Sequence, residues 1–144
     1  MDALSKIGIW VNRTVLIAVS ILFASIAFKF LFNPIGNTSE INISLGSAAA
    51  ITVARVSLGG FPLVIALLTV SSIFSLGQHL RGIATVVTVI AILTFARIYG
   101  IAVDGATAHN IKLLYPEGVM LALSTAGLWL EMRRVKLQNK LATK

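Results

Sequence analysis

The sequence predicts an all-α integral membrane fold, a bundle of four transmembrane helices with both termini cytoplasmic, on three observations. First, 57% of the 144 residues are hydrophobic and only 12% are charged, far from the makeup of a water-soluble globule. Second, residues 13–33, 41–74 and 82–100 contain no acidic residue, and each run reaches the roughly 20 apolar positions that a span needs; a fourth run, 115–130, is shorter. Third, Lys6, Arg13, Arg81, Arg133, Arg134, Lys136, Lys140 and Lys144 fall on one side of four such spans, while only Lys29 and Lys112 fall on the other. Eight against two is a strong positive-inside bias, and it places both termini in the cytoplasm of a cell whose inner membrane holds the chain.

The elements follow in order within a single domain covering residues 1–144. Residues 14–32 form the first helix, too long for a signal-peptide core and ended by Asn33-Pro34 and the turn residues after it. Lys29 suits its last turn, where a cation complements the helix dipole. Residues 41–75 exceed one span and are interrupted by Gly59-Gly60-Phe61-Pro62. The favoured reading is a short interfacial helix at 44–53 leading into a second span at 54–75, with one long kinked helix as the alternative. A tight loop around Gly77 to Gly82 precedes the third helix, 82–100. A loop with Asp104-Gly105 as its turn signal leads to the fourth, 115–132, which Pro116 opens from its first turn. It continues into solvent as a charged amphipathic stub through Glu131, Arg134 and Gln138, within a basic cytoplasmic tail, 133–144.

Small residues mark expected packing seams. Gly118, Ala122 and Ala126 recur every four positions on the fourth helix, and Gly59 and Gly60 sit at the start of the second.

Two near-identical hexapeptides, residues 51–56 and 93–98, each place an arginine inside an apolar run, Arg55 and Arg97. Such a charge costs at least ~2.5–3.5 kcal/mol on insertion scales, so it faces the protein interior, finds a partner and marks a working site. With four spans, Arg55, Arg97 and Glu117 come to lie within about 5–8 Å of the outer boundary, with Asp104 beside them. Two main readings of this layer stay open, with proton or electron chemistry as a third. The residues form a structural ion pair that sets helix register, or the surplus guanidinium binds an anionic headgroup, a carboxylate or a quinone-like carbonyl.

With no cysteine, the chain cannot hold disulfides, thiolate metal sites, iron–sulfur clusters or covalent c-type haem. His79 and His109 are expected in loops on opposite faces, so no shared metal is expected, nor any cofactor. Gly-rich phosphate loops and nucleophile elbows are absent from the sequence, which argues against an enzyme. The net charge of +7 is concentrated in the tail, without interleaved aromatics, and reads as lipid-headgroup contact rather than nucleic-acid binding.

Ala54-Arg55 followed by Gly59-Gly60, then Ala96-Arg97-Ile98-Tyr99-Gly100 with Asp104-Gly105, resembles an uncharacterised family of small bacterial four-helix inner-membrane proteins that bears a domain-of-unknown-function label. That family is distantly similar to the DoxX-like group. The resemblance spans residues 54–130 and implies a four-helix membrane bundle with no established activity. The expectation is a non-enzymatic membrane protein, an accessory subunit or a binder of a lipid or quinone-like ligand. It would sit among membrane lipids, alone, as a homo-oligomer or in a larger membrane complex. The alternative is a small oligomeric transporter or channel whose pathway passes Arg55, Arg97 and Glu117.

Overall fold

The apolar runs set where helices form, and the capping side chains set where they end. The computed structural model describes residues 3–75 and 77–142, with side chains described for 7–75 and 77–140. Lys144 of the predicted tail and the side chain of Lys6 lie outside the described residues. All regular structure among the described residues is helical. Five helices follow in order: α1, Ala3–Phe32; α2, Pro34–Glu40; α3, Ala48–Ile73; α4, His79–Asp104; and α5, Ala108–Ala142. Four stretches, Ile7–Phe32, Ala48–Ile73, His79–Asp104 and Ala108–Lys140, are long and apolar enough to cross a membrane.

α1 ends where its orphan carbonyls meet the next segment. The Asn33 N–H and the Asn37 side-chain amide both donate to the Lys29 carbonyl, at 3.0 and 2.9 Å. Asn33 then caps α2, its Oδ1 accepting from the Gly36 N–H at 3.1 Å, with Pro34 in the first turn. Turn chemistry at residues 36–39 was the expectation, but a cap followed immediately by a proline starts a helix instead.

α3 corrects the favoured reading of residues 41–75. Ser47 caps it by accepting from the Ala50 N–H at 3.1 Å, and the helix runs without a break from Ala48 through a π-helical turn, Arg55–Gly60, to Ile73. The Phe61 N–H reaches back five residues to the Val56 carbonyl. Pro62 has no N–H to return to Leu58, and the wider turn absorbs that missing bond, so the span neither breaks nor becomes a separate interfacial helix.

The last two helices are longer than their apolar runs. α4 begins at His79 and runs through Asp104, and Gly105 ends it at φ 98°, a backbone conformation suited to glycine. Thr107 then accepts from the Asn110 N–H at 3.2 Å, so α5 starts at Ala108. Pro116 consequently lies inside α5 rather than in its first turn, and the charged stub carries the helix on to Ala142.

The chain divides into two compact units, Met1–Leu16 with Ser72–Lys144, and Ile17–Ser71. In the first, α4 and α5 pack against each other and against the start of α1, burying Ile9, Leu16, Ile83, Val86 and Ile90. Glycines allow the close approaches. A Cβ on Gly127 would stand 2.3 Å from Asn12 Oδ1, one on Gly82 2.3 Å from Ser72 Cβ, and one on Gly8 3.3 Å from Leu130 Cβ.

In the second unit Val19, Phe23, Ala27, Ala54 and Ala66 are buried. Thr69 Oγ1 also lies 2.9 Å from the Ile65 and Ala66 carbonyls, and the Ser20 and Thr69 hydroxyls share a hydrogen bond across 2.7 Å, an interhelical bond suited to a dry interior. Gly59 lies where a Cβ would come within 2.8 Å of Leu31 Cγ. Gly60 meets only its own helix, and the Gly118, Ala122 and Ala126 stripe is exposed, with open space where a Gly118 Cβ would be. The tight glycine of α5 is Gly127 instead. Large apolar side chains such as Phe32, Phe74 and Phe95 point outward, as spans in lipid require.

Candidate functional site

Arg97 and Glu117 form a bidentate ion pair that ties α4 to α5. Arg97 Nε donates to both Glu117 oxygens, at 2.9 and 3.0 Å, and Nη2 donates to Oε1 at 2.7 Å. Arg97 Nη1 donates to Asn110 Oδ1 at 3.3 Å. The two charged side chains are 24% and 16% exposed, mostly withdrawn from solvent yet reachable. Thr94, one turn before Arg97 on the same helix, has a buried hydroxyl without a hydrogen-bond partner among the described residues.

Helix ends do not explain this pair. Arg97 lies seven residues before the end of α4 and Glu117 nine after the start of α5, about 10 and 14 Å along the axes, whereas dipole stabilisation fades within a turn. A guanidinium carries five N–H donors. Nε and one N–H each of Nη1 and Nη2 are engaged, so two remain without a partner among the described residues.

The other expected members make no ion pair or hydrogen bond with this pair among the described residues. Arg55 belongs to the second unit, where it opens the π-helical turn with an exposed side chain that makes no ion pair or hydrogen bond among the described residues. Asp104 is exposed at the end of α4, two turns beyond Arg97, and is likewise unpaired among the described residues.

A second polar cluster escaped the sequence reading altogether. Glu131 and Arg134, expected on a solvated stub, are 1% and 7% exposed. Arg134 engages Glu131 through Nε, at 3.1 Å to each oxygen, and through a close Nη2 contact to Oε1. Asn12 of α1, fully buried, donates from Nδ2 to Glu131 Oε2 at 3.2 Å. His79, expected in a solvated loop, is also buried; its Nε2 donates to the Ile73 carbonyl at 3.3 Å, while Nδ1 has no partner among the described residues. The only advance signal was spacing: residues 127, 131 and 134 recur on one helical face, with a glycine at the first.

His109 is exposed near the start of α5, at the opposite end of the α4–α5 pair from His79. Among the described residues no three histidine, cysteine or carboxylate side chains gather as a metal site.

Four helices of spanning length with an ion pair inside two of them define a multi-pass membrane protein. The chain belongs to the family described as a domain of unknown function, DUF4345, whose model matches residues 11–128. The matched segment contains Arg55, Arg97, Asn110 and Glu117 and stops short of Glu131 and Arg134. No curated protein and no solved structure matches the chain.

Proposed function

We propose that this protein is a non-enzymatic membrane protein that binds a lipophilic ligand with an anionic or carbonyl head at Arg97. The observation that carries this reading is a largely withdrawn guanidinium, inside a candidate span, with two N–H donors that have no partner among the described residues. In hydrocarbon an empty donor costs several kcal/mol, so an acceptor from a ligand is strongly favoured there. Glu117 and Asn110 hold the planar fork in place before the ligand arrives, which reduces the ordering cost of binding. The Thr94 hydroxyl offers a further polar contact one turn along α4. Glu117, committed to Arg97, is not poised as a base, and this supports binding over catalysis. Such a binder fits the role of an accessory subunit in a larger bacterial inner-membrane assembly, and a DoxX-like relationship would point to membrane redox partners for it.

The test is mass spectrometry of the gently purified protein beside Arg97→Leu/Glu117→Leu, which removes both charges together. The wild type is expected to retain a carbonyl-bearing or anionic lipophile that the double variant loses, while thermal stability changes little. Glu117→Gln alone strands Arg97 and is expected to cost about 2 kcal/mol, less than for a fully buried pair because the site is partly open. An unchanged set of co-purifying molecules in the double variant would defeat the ligand reading and leave a register-setting pair.

The same proposal places both termini in the cytoplasm, on the eight-to-two excess of basic residues. As the chain has no cysteine, single cysteines at the exposed positions Glu40, Gln78, His109 and Asn139 report sidedness directly. An impermeant maleimide applied to intact cells is expected to label positions 40 and 109 but not 78 and 139. The reverse pattern would refute the orientation.

A further inference from the structure

At the far end of α5 from Glu117 an open groove of about 480 Å³ runs between the start of α4 and the last turns of α5. Leu80, Met132 and Val135 give it an apolar floor, and Lys136, Asn139 and Lys140 give it a polar wall. Lys136 and Lys140 also border a second hollow of about 200 Å³ with Arg133 and Leu137. The two lysines therefore form a cationic ridge with a recess on either side.

Among the described residues no carboxylate lines either recess, and Glu131, the one acid in this part of α5, is buried and held by Arg134. The depth is also defined. Trp129 is half-exposed, with the Arg133 guanidinium 3.9 Å over its ring, an arrangement suited to the membrane–water boundary. Lys136 lies seven residues further on, about 10 Å along the axis, at the depth of phosphate headgroups.

We infer that this groove is a binding site for an anionic phospholipid, with Lys136 and Lys140 on the headgroup phosphate and the first acyl methylenes over Leu80, Met132 and Val135. Its volume falls in the range of small-ligand sites, enough for a headgroup and the neck of a chain. Anionic lipid is the occupant that satisfies both the cationic wall and the apolar floor at this depth. The site is separate from Arg97 and stands whether or not that residue binds a ligand.

The experiment uses the full chain in nanodiscs of equimolar phosphatidylcholine and phosphatidylglycerol, with native mass spectrometry counting the lipids retained after release. The wild type is expected to keep phosphatidylglycerol in preference to phosphatidylcholine. That preference should fall about fivefold for each of Lys136→Gln and Lys140→Gln. Met132→Trp, at an exposed position, should fill the floor and reduce retention with every charge intact. Arg81→Gln removes an exposed charge that does not line the groove and should leave the preference in place. An Arg81→Gln loss equal to that of Lys136→Gln would reduce the effect to diffuse surface attraction and overturn the site. So would full retention in Met132→Trp, or an unchanged preference in the double lysine variant.

Discussion

Replacing Glu131 by alanine is expected to destabilise this protein by about 3–5 kcal/mol, because it takes from the buried Arg134 guanidinium the carboxylate it engages through Nε and Nη2. Arg134 is 7% exposed and cannot turn to water without opening the helix contact. The loss extends beyond one helix. Asn12 of α1 donates to the same carboxylate, so the side chain that neutralises Arg134 also ties the start of α1 to α5. Glu131→Leu/Arg134→Leu should recover most of the stability, since the intact pair contributes little net energy once both desolvation costs are counted. Thermal unfolding in detergent, run on the single and double variants, measures the coupling directly. Arg133→Ala serves as the internal contrast. Its guanidinium is exposed over Trp129, and its loss should cost no more than about 1 kcal/mol. If Arg133→Ala proved as damaging as Glu131→Ala, the burial of this cluster would be wrong.

Gly82→Ala is expected to be the most damaging single methyl addition in the chain, at about 3 kcal/mol, the upper end of ordinary overpacking. The new Cβ would lie 2.3 Å from Ser72 Cβ and 2.6 Å from Ser72 Oγ. Ser72 Cβ cannot swing aside, because it is fixed to its own helix backbone, so α4 itself must move. Leu16 Cδ2 at 3.3 Å blocks part of that retreat. Gly118→Ala, where a Cβ meets nothing within 4 Å, should be neutral or slightly stabilising, since alanine favours the helix. A melting temperature for Gly82→Ala within about a degree of wild type would mean that the end of α3 and the start of α4 do not approach as closely as described. The contrast with Gly118 also tests which glycine is a contact and which merely lies in an apolar run.

Much of the architecture was legible before any coordinates. The apolar runs located all four spans, and Asn33, Pro34 and Gly105 marked real helix boundaries. The start of α5 was missed because hydropathy falls off at Lys112 while helical backbone bonding reaches back to Ala108. Thr107 supplies a cap eight residues before the apolar run begins, and caps rather than hydropathy decide where a helix starts. At the break near Pro62 the sequence showed a disrupted ladder but not its repair, since a π-helical turn conserves the span at no visible compositional cost.

The site divides the same way. Arg97 and Glu117 stood out because each is a lone charge in an apolar context, and the two form a pair. Glu131 and Arg134 did not, because they are followed by Lys136 and Lys140 and share their composition with a solvated tail. Arg133 and Arg134 are indistinguishable as letters, yet one stacks on Trp129 and the other is buried against Glu131.

What the amino-acid sequence determined alone was the solvent: 57% hydrophobic residues in uninterrupted runs can be satisfied only as membrane-spanning helices, whatever their arrangement. What only the tertiary structure decided was which charges face inward. Successive residues on a helix point about 100° apart, so burial turns on which face a neighbour covers, and that neighbour, α1 at Asn12, lies 119 positions away in the chain.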